Sequence, residues 1–252
     1  MSLLVTLRRR TWTAVRRGHK LLLLLADPSY RAGLRLRAPA SVEHRGVAFE
    51  HEFSSVLDVG ANRGQFAIFA LRRFPGADLF SFEPYPEAFA ALAKLVGVRP
   101  NVHLFELALS STKGPRDLHV SGLDHSSSLL PITRRLTDEF TGTAEAATVQ
   151  VASARLDETV SPEQLRRPVL LKLDVQGFEL EALRGAEALL SNIDEILIEL
   201  SFVEFYAGQP LSGEVIAHLD ARDFRLAGVY GVMRGRAGEC LQADFHFVRG
   251  KA

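Results

Sequence analysis

The sequence predicts an α/β fold in which a mainly parallel sheet of seven strands carries helices on both faces. Three observations favour this fold. Short apolar runs alternate with helical stretches from residue 46 onward, a rhythm that indicates right-handed crossovers between parallel strands. The runs are apolar throughout rather than alternating, as expected for strands buried on both faces. The segment 110–168 interrupts the rhythm and predicts a small inserted β element.

The elements follow in order along the chain. Strands are expected at 55–59, 79–83, 101–107, 169–174, 193–200, 224–230 and 245–248, and helices at 65–74, 86–96, 179–190 and 212–219. Pro75 ends the first helix, Pro86 and Gly97 bracket the second, and Ser212 is expected to cap the last. In the insert, strands near 116–120 and 147–153 flank a mobile loop, and Ser161-Pro-Glu-Gln164 is a capping box that opens a short helix.

Composition narrows the class of protein. The chain has 252 residues, of which 47% are hydrophobic and 24% charged, which excludes a disordered chain and predicts one or two domains. No apolar run reaches the length of a transmembrane helix. A single cysteine, Cys240, excludes a disulfide framework and a cysteine-built zinc site, and fits a cytoplasmic protein. The 30 basic and 30 acidic residues cancel, so we expect no nucleic-acid partner.

The basic residues are concentrated at the amino end. Residues 1–45 hold ten Lys or Arg against two acidic residues, and we predict a basic helical extension there, followed by the main domain at 46–252. The five leucines Leu21 to Leu25 are too few for a signal peptide, and no small-x-small site follows them. An amphipathic helix packed on the domain or on a neighbour explains this segment, and a weak contact with a membrane surface is a second interpretation.

A glycine turn joins the first strand to the first helix, in Val56-Leu-Asp-Val-Gly-Ala-Asn-Arg-Gly-Gln-Phe66. Gly60 lacks a side chain, so a ligand can approach the backbone there, and Gly64 lies where the helix must pack closely. The helix amino end offers N–H groups to an anion. The Gly-x-x-x-Gly spacing differs from that of dinucleotide-binding turns and favours a smaller anion, such as an amino-acid carboxylate. A turn with no ligand is the structural alternative.

Glu83 ends the second strand, 19 residues after Gly64. An acidic residue at this place in an α/β sheet accepts hydrogen bonds from both ribose hydroxyls of a bound nucleoside. The alternative is a surface glutamate at the end of a strand. Because turn and glutamate occur together, we expect an adenosine-containing ligand at the carboxyl ends of the first two strands.

Two charged residues fall on a strand that should otherwise be buried, in Leu171-Lys-Leu-Asp-Val-Gln-Gly-Phe-Glu179. Lys172 and Asp174 are two positions apart and therefore share one face of the strand. Buried charges need partners or a cleft. Asp174 is expected to open into the ligand crevice, whereas Lys172 could equally be part of a structural ion pair.

In these three motifs, the chain resembles the FkbM family of S-adenosylmethionine-dependent methyltransferases. The matching pieces are Asp58 to Phe66, Phe82-Glu-Pro-Tyr-Pro86 and Leu171 to Glu179 continued through Leu183-Arg-Gly-Ala186, supported by Ala108-Leu-Ser110, Ser126-Ser-Ser-Leu129 and Leu156-Asp157. They keep the family's order over residues 55–250. The resemblance implies a Rossmann-like class I methyltransferase fold. Gln176 stands where the family commonly has an acidic residue, and residues 1–45 have no counterpart in the motif pattern.

The resemblance also implies the roles of the site residues. Gly60, Asn62 and Gly64 would line the methionine part of S-adenosylmethionine and Glu83 would hold its ribose. The full expected cofactor set is Asp58, Gly60, Asn62, Gly64, Phe66, Glu83, Pro84 and Ala108. The acceptor would be a hydroxyl group on a sugar, macrolide or similar small metabolite.

Methyl transfer to a hydroxyl needs alignment and the loss of a proton, for which a positioned base is useful. Asp174 and His125 are the candidate bases, and Lys172 could orient the acceptor. Glu199 and Glu204 are further candidates near the fifth strand. We predict no required metal, although Asp124, Asp174 and Glu199 could form an oxygen site.

Two other functions remain open on the residues alone. One is a nicotinamide-dependent enzyme, which the glycine spacing disfavours. The other is a catalytically idle module that binds a nucleotide-type ligand or a partner.

Overall fold

The computed structural model describes Gly18 and residues 20–250. Ten strands lie in this part of the chain. They are β1 (Ser55–Val59), β2 (Asp78–Phe82), β3 (Val102–Phe105), β4 (Ala108–Leu109), β5 (Gly114–Ser121), β6 (Glu145–Ala154), β7 (Val169–Leu173), β8 (Glu195–Ser201), β9 (Phe224–Arg234) and β10 (Cys240–Arg249).

Seven α-helices are bounded within the same residues: α1 (Pro28–Arg35), α2 (Gln65–Arg73), α3 (Pro86–Val96), α4 (Arg134–Glu139), α5 (Leu156–Thr159), α6 (Glu179–Arg184) and α7 (Ser212–Asp220). A further helical stretch at residues 20–26, here called the leucine helix, precedes α1. Four short 3-10 helices lie at Val42–Gly46, Asp124–Ser126, Pro162–Gln164 and Glu187–Asn192.

The main sheet has seven strands in the order β3-β2-β1-β7-β8-β10-β9. The first five are parallel, and β10 pairs antiparallel with both β8 and β9. The chain leaves β1 toward β2 on one side and reaches β7 on the other, so β1 and β7 flank a topological switch point. The predicted mainly parallel seven-stranded sheet is confirmed.

Alternate residues of β1 enter two separate core clusters, because successive side chains on a strand point to opposite faces. Val56 joins a cluster with α2 and α3, whereas Leu57 joins one that includes residues of α6 and α7. Burial on both faces explains why the strand runs are apolar throughout.

Several boundaries differ from the predicted ones. Strand β2 ends at Phe82, so Glu83 stands just beyond the sheet. The predicted helix 179–190 breaks at Gly185, where a Cβ atom would lie 2.1 Å from the carbonyl oxygen of Ser110. This close approach replaces the second half of the helix with a 3-10 turn. Ser212 is the first residue of α7 rather than its cap, which is Leu211.

The insert forms a second sheet of three strands in the order β4-β6-β5. Its two long strands include the two predicted there. The segment expected to be a mobile loop contains the 3-10 helix Asp124–Ser126 and α4. The capping box is confirmed, since the backbone N–H of Ser161 donates to Gln164 Oε1 at 2.8 Å.

The described part of the predicted extension packs on the face of the domain that carries α2 and α3. Helix α1 starts at Pro28 after Asp27, whose carboxylate accepts a hydrogen bond from the backbone N–H of Ser29 at 2.9 Å. Leu24, Tyr30 and Val42 are buried in the same cluster as α2 and α3. The predictions for residues 1–17, residue 19 and residues 251–252 lie outside the described residues. Across the described chain, no helix has the length and apolarity to cross a bilayer.

Candidate active site

A cavity of about 420 Å³ opens at the carboxyl ends of the parallel strands, around the switch point between β1 and β7. Ligands of open α/β sheets bind at this position. Nine of the eleven residues predicted for the site line the cavity: Gly60, Asn62, Phe66, Glu83, Pro84, Ala108, His125, Lys172 and Asp174. Asp58 and Gly64 lie outside its wall.

Gly60 is required by the neighbouring backbone. Its φ is +77°, and a Cβ atom would lie 1.9 Å from the carbonyl oxygen of Asp174. The sequence predicted that the missing side chain makes room for a ligand. In the structure, the missing side chain makes room for the close approach of the ends of β1 and β7.

The N–H groups of the turn are already used inside the protein. Those of Gly60 and Ala61 both donate to the carbonyl of Phe82 at 3.0 Å, and that of Asn62 donates to Glu83. An anion therefore cannot take hydrogen bonds from these three groups without displacing them. Helix α2 still presents its amino end, because Gln65 lies in the cavity wall.

Gly64 has a packing role. Its φ is +94°, and a Cβ atom would lie 2.9 Å from Leu92 Cδ1 and 3.1 Å from a methyl carbon of Leu95. Both leucines belong to α3. The glycine lets α2 and α3 approach each other and lies outside the cavity wall, so the structure does not bring it to the predicted cofactor position.

Glu83 is 6% exposed and lines the cavity. Its Oε2 accepts a hydrogen bond from the backbone N–H of Asn62 at 2.7 Å, and its Oε1 accepts one from Tyr85 at 2.8 Å. Burial raises the pKa of Glu83 to about 7, against these two hydrogen bonds, which lower it. Each carboxylate oxygen has a second lone pair free for a ligand hydroxyl.

Asp58, Lys172 and Asp174 form a charged row across β1 and β7. Lys172 Nζ lies 3.4 Å from Asp58 Oδ1 and 3.8 Å from Asp174 Oδ2, and donates to the carbonyl of Gly60 at 3.1 Å. Burial lowers the pKa of Lys172, but the two carboxylates outweigh it and raise that pKa. Burial raises the pKa of Asp58, which is fully enclosed. Asp58 thus anchors Lys172 from beneath the cavity floor.

Gln176 connects Asp174, a candidate base, with Glu199, a further candidate near the fifth strand. Its φ is +54°, and its Nε2 donates to Asp174 Oδ1 at 2.6 Å and to Glu199 Oε2 at 2.9 Å. The hydroxyl of Tyr206 lies 2.9 Å from Gln176 Oε1, and Ser128 donates to the Gln176 backbone carbonyl at 2.6 Å. In the sequence, Gln176 stands out only as a departure from the family pattern.

Glu199 lies behind this glutamine and outside the cavity wall. Burial, together with the negative charges of Asp174 and Asp244, raises the pKa of Glu199 well above its ordinary value. The carboxylate also accepts a hydrogen bond from Gln242 at 3.0 Å. It therefore acts on the cavity through Gln176.

Glu179 fixes the loop that carries Gln176. Its Oε1 accepts hydrogen bonds from the backbone N–H groups of Val175 at 3.2 Å and Gly177 at 3.1 Å. Burial raises the pKa of Glu179 to about 7. The side chain is 3% exposed and lies outside the cavity wall.

Of the remaining candidate site residues, some line the cavity and one lies outside its wall. His125 lines the cavity on an exposed turn. Asp124 forms an ion pair with Arg63 at 2.5 Å, and Glu204 is exposed and lies outside the cavity wall. Asp124 is thus engaged with Arg63, whereas Asp174 and Glu199 share the side chain of Gln176. Within the described residues, no three His, Cys, Asp or Glu side chains are grouped as a metal site.

One wall of the cavity comes from the amino-terminal segment, which sequence reasoning missed. Lys20, Ser41, Glu43 and His44 all line it, and Lys20 Nζ lies 2.7 Å from Glu43 Oε2. The cavity wall also has an apolar part that includes Leu118, Leu129 and Phe178. No local sequence signal connects residues 20–44 with a site that begins at residue 58.

Residues 58–226 match the family model of the methyltransferase FkbM domain. The chain belongs to the FkbM family of methyltransferases. It is therefore an S-adenosylmethionine-dependent methyltransferase, which argues against the nicotinamide-dependent alternative.

Relatives of this FkbM-family chain include three named methyltransferases. The 2-O-methyltransferase NoeI of Sinorhizobium fredii is 31% identical over 189 residues, 71% of this chain and 77% of that protein. The hexuronic acid methyltransferase AglP of Haloferax volcanii is 30% identical over 153 residues, 60% of this chain and 58% of that protein. The 31-O-demethyl-FK506 methyltransferase FkbM of Streptomyces tacrolimicus is 29% identical over 191 residues, 67% and 72% respectively.

The fold also matches a solved structure. The crystal structure of methyltransferase FkbM from Methylobacillus flagellatus KT aligns with a TM-score of 0.50 at 12% identity, covering 82% of this chain and 47% of that one. At this identity the match concerns the fold, and it confirms the Rossmann-like class I methyltransferase architecture. The chain spans about half the length of that structure.

Proposed function

We propose that this FkbM-family chain transfers the methyl group of S-adenosylmethionine to a hydroxyl group of a small sugar or polyketide-type metabolite. The observation that carries the proposal is the single cavity in which Glu83, at the end of β2, and Asp174, at the end of β7, both lie. The carboxylate that would recognise the nucleoside and the base that would deprotonate the acceptor thus line the same cavity.

The residues present fit the cofactor. Glu83 has one free lone pair on each oxygen for the two ribose hydroxyls. The apolar patch that includes Leu118, Leu129 and Phe178 suits an adenine ring. The amino end of α2 and the Lys172 ammonium provide positive charge for a carboxylate.

When bound, S-adenosylmethionine supplies an electrophilic methyl group, so the protein contributes mainly alignment, desolvation and removal of the acceptor proton. Asp174 can accept that proton. Gln176 already donates to its Oδ1, which leaves Oδ2, 3.8 Å from Lys172 Nζ, for the acceptor hydroxyl. The positive charge of Lys172 stabilises the negative charge that develops on the acceptor oxygen. His125 stays a second candidate base.

The relatives support the proposed substrate class. The names of the three relatives specify a 2-O position, a hexuronic acid and a 31-O position of a demethylated FK506. We extend to this chain the oxygen acceptor that two of these names specify, on a carbohydrate or polyketide-type molecule. The amino-terminal wall with Ser41 and His44 provides polar groups for such an acceptor.

Turnover with a labelled donor tests the proposal. The protein is incubated with trideuteromethyl S-adenosylmethionine and a panel of monosaccharides, uronic acids and macrolides, and mass spectrometry detects labelled methyl ethers. Asp174→Asn should lower kcat by about 10²–10⁴-fold, the usual contribution of a general base, with binding of S-adenosylhomocysteine retained. Glu204→Gln, an exposed carboxylate outside the cavity wall, is the matched control and should keep full activity.

Other results would point elsewhere. Cofactor binding without methyl-ether formation from any acceptor favours the idle module. Equal kcat in Asp174→Asn and the unmodified chain removes Asp174 from the catalytic residues.

A further inference from the structure

Tyr206 contacts the polar network of the cavity but lies outside the cavity wall. It follows β8, is 2% exposed and packs in an apolar cluster with Leu136 and Leu241. Its hydroxyl lies 2.9 Å from Gln176 Oε1 and 3.0 Å from the backbone carbonyl of Ser126. Burial, together with nearby carboxylates, raises the pKa of Tyr206 above its ordinary value. The phenol therefore stays protonated and acts as a donor.

The amide of Gln176 fits its partners in one orientation. Its Nε2 donates to Asp174 Oδ1 at 2.6 Å and to Glu199 Oε2 at 2.9 Å, and its Oε1 faces the phenol. An amide nitrogen has two N–H donors, whereas an ionised carboxylate only accepts. With the amide reversed, Oε1 would meet two carboxylate oxygens. Tyr206 supplies the donor that Oε1 needs in the observed orientation.

Tyr206 also joins the insert to the loop that follows β7. The carbonyl of Ser126 belongs to the insert, and Gln176 follows Asp174 in that loop. A second hydrogen bond closes the same junction, because the hydroxyl of Ser128 donates to the backbone carbonyl of Gln176 at 2.6 Å. These contacts hold the loop that carries Asp174 against the insert.

We propose that Tyr206 is a positioning residue for methyl transfer. Its hydroxyl fixes the amide of Gln176, and that amide holds Asp174 Oδ1 and leaves Oδ2 for the acceptor hydroxyl. The inference rests on the proposed function, in which Asp174 takes the acceptor proton. Because Tyr206 lies outside the cavity wall, it acts on the reaction through Gln176 and not by touching cofactor or acceptor.

Tyr206→Phe tests this role, because it removes one oxygen atom and keeps the ring in its apolar cluster. Without the phenol, Gln176 can turn, and the ionised form of Asp174 loses a hydrogen bond. We expect kcat to fall by about tenfold or more. The acidic limb of the kcat/KM profile should move upward by about half a pH unit or more, while the Kd for S-adenosylhomocysteine stays the same.

Tyr230→Phe is the matched control. The hydroxyl of Tyr230 accepts a hydrogen bond from the backbone N–H of Ala48 at 3.1 Å, and Tyr230 lies outside the cavity wall. The substitution therefore removes a phenol hydrogen bond elsewhere in the fold. Both kcat and the acidic limb should match those of the unmodified chain.

A double variant tests whether the effect passes through Gln176. In the Gln176→Ala background, Tyr206→Phe should cause no further shift of the acidic limb, because the amide through which it acts is already absent. Neither substitution changes the charged groups that act on Asp174, which are Lys172, Asp58, Glu179 and Glu199. The shift therefore reports the lost hydrogen bond.

Carbon-13 NMR of the ligand-free chain gives a readout that needs no turnover. Aspartate labelled at the carboxyl carbon is titrated, and the signal of Asp174 is assigned by its loss in Asp174→Asn. The midpoint of this signal should move upward in Tyr206→Phe and in Gln176→Ala, and circular dichroism checks that each variant keeps the fold.

The two proposals fail in different ways. If the unmodified chain transfers no methyl group to any acceptor, the proposed function is refuted, and the titration still decides whether Tyr206 positions Asp174. An unmoved midpoint in Tyr206→Phe or in Gln176→Ala, or additive shifts in the double variant, would overturn the role of Tyr206.

Discussion

Glu83 gives cofactor binding a pH dependence that can be calculated. Burial raises its pKa to about 7 in the ligand-free protein. In the proposed cofactor complex, ribose hydroxyls would donate hydrogen bonds to the ionised carboxylate, in addition to the two backbone N–H groups that already do so. The ionised form therefore binds the cofactor better, and affinity should rise with pH.

The size of the effect follows from the fraction ionised. With a pKa of about 7, roughly one tenth of Glu83 is ionised at pH 6 and roughly nine tenths at pH 8. If the bound form stays ionised throughout, the Kd for S-adenosylhomocysteine falls about tenfold over this range, which corresponds to about 1.4 kcal/mol.

Isothermal titration of S-adenosylhomocysteine at pH 6, 7 and 8 measures this slope. Glu83→Gln should remove it and weaken binding at pH 8 by about 2–3 kcal/mol, because hydrogen bonds to a charged acceptor are lost. Glu179→Gln is the matched control, since Glu179 is also buried with a pKa of about 7 but lies outside the cavity wall, and it should keep the slope. A flat profile in the unmodified protein, or the same slope after Glu83→Gln, would refute the assignment of Glu83 to the ribose.

Three further predictions concern the residues around the cavity and the core. Gly60→Val should destabilise the fold by about 3 kcal/mol or more, because the new Cβ meets the Asp174 carbonyl at 1.9 Å; an unchanged melting temperature would contradict this. Gln176→Glu should move the acidic limb of the kcat/KM profile upward by about one pH unit, since a carboxylate then lies between Asp174 and Glu199; an unshifted limb would exclude Gln176 as a positioning residue. Glu195→Ala should cost about 3–5 kcal/mol in urea unfolding, because the fully buried carboxylate contacts two histidine rings and a backbone N–H; a loss below about 1 kcal/mol would show that this cluster contributes little.

The glycine turn shows what a local pattern leaves undetermined. The sequence predicted ligand access to the backbone at Gly60 and close packing of the helix at Gly64, and the family resemblance added a cofactor role for both. The structure places Gly60 against the end of β7 and Gly64 against α3. Both contacts join segments that are distant in sequence, so no local pattern distinguishes a glycine that admits a ligand from one that admits another part of the backbone.

The polar network of the site was beyond the reach of sequence reasoning. Lys172 and Asp174 could be placed on one face of a strand, because strand periodicity is local. Their partners could not, since Gln176 joins Asp174, the residue after β7, to Glu199 on β8 and to Tyr206 beyond β8. Which groups meet there depends on strand order and on the positive φ at Gln176.

The sequence by itself determined the strand and helix rhythm, the mainly parallel sheet, the family and the acidic residue that follows β2, because each depends on neighbours within a few residues or on motifs kept in order. The tertiary structure alone decided that Lys20, Ser41, Glu43 and His44 complete the cavity and that Asp58 holds Lys172 from below. These contacts arise when hydrophobic burial folds the amino-terminal segment onto α2 and brings β7 beside β1. Such burial is non-directional, so local sequence specifies which residues are apolar but not which distant surface covers them.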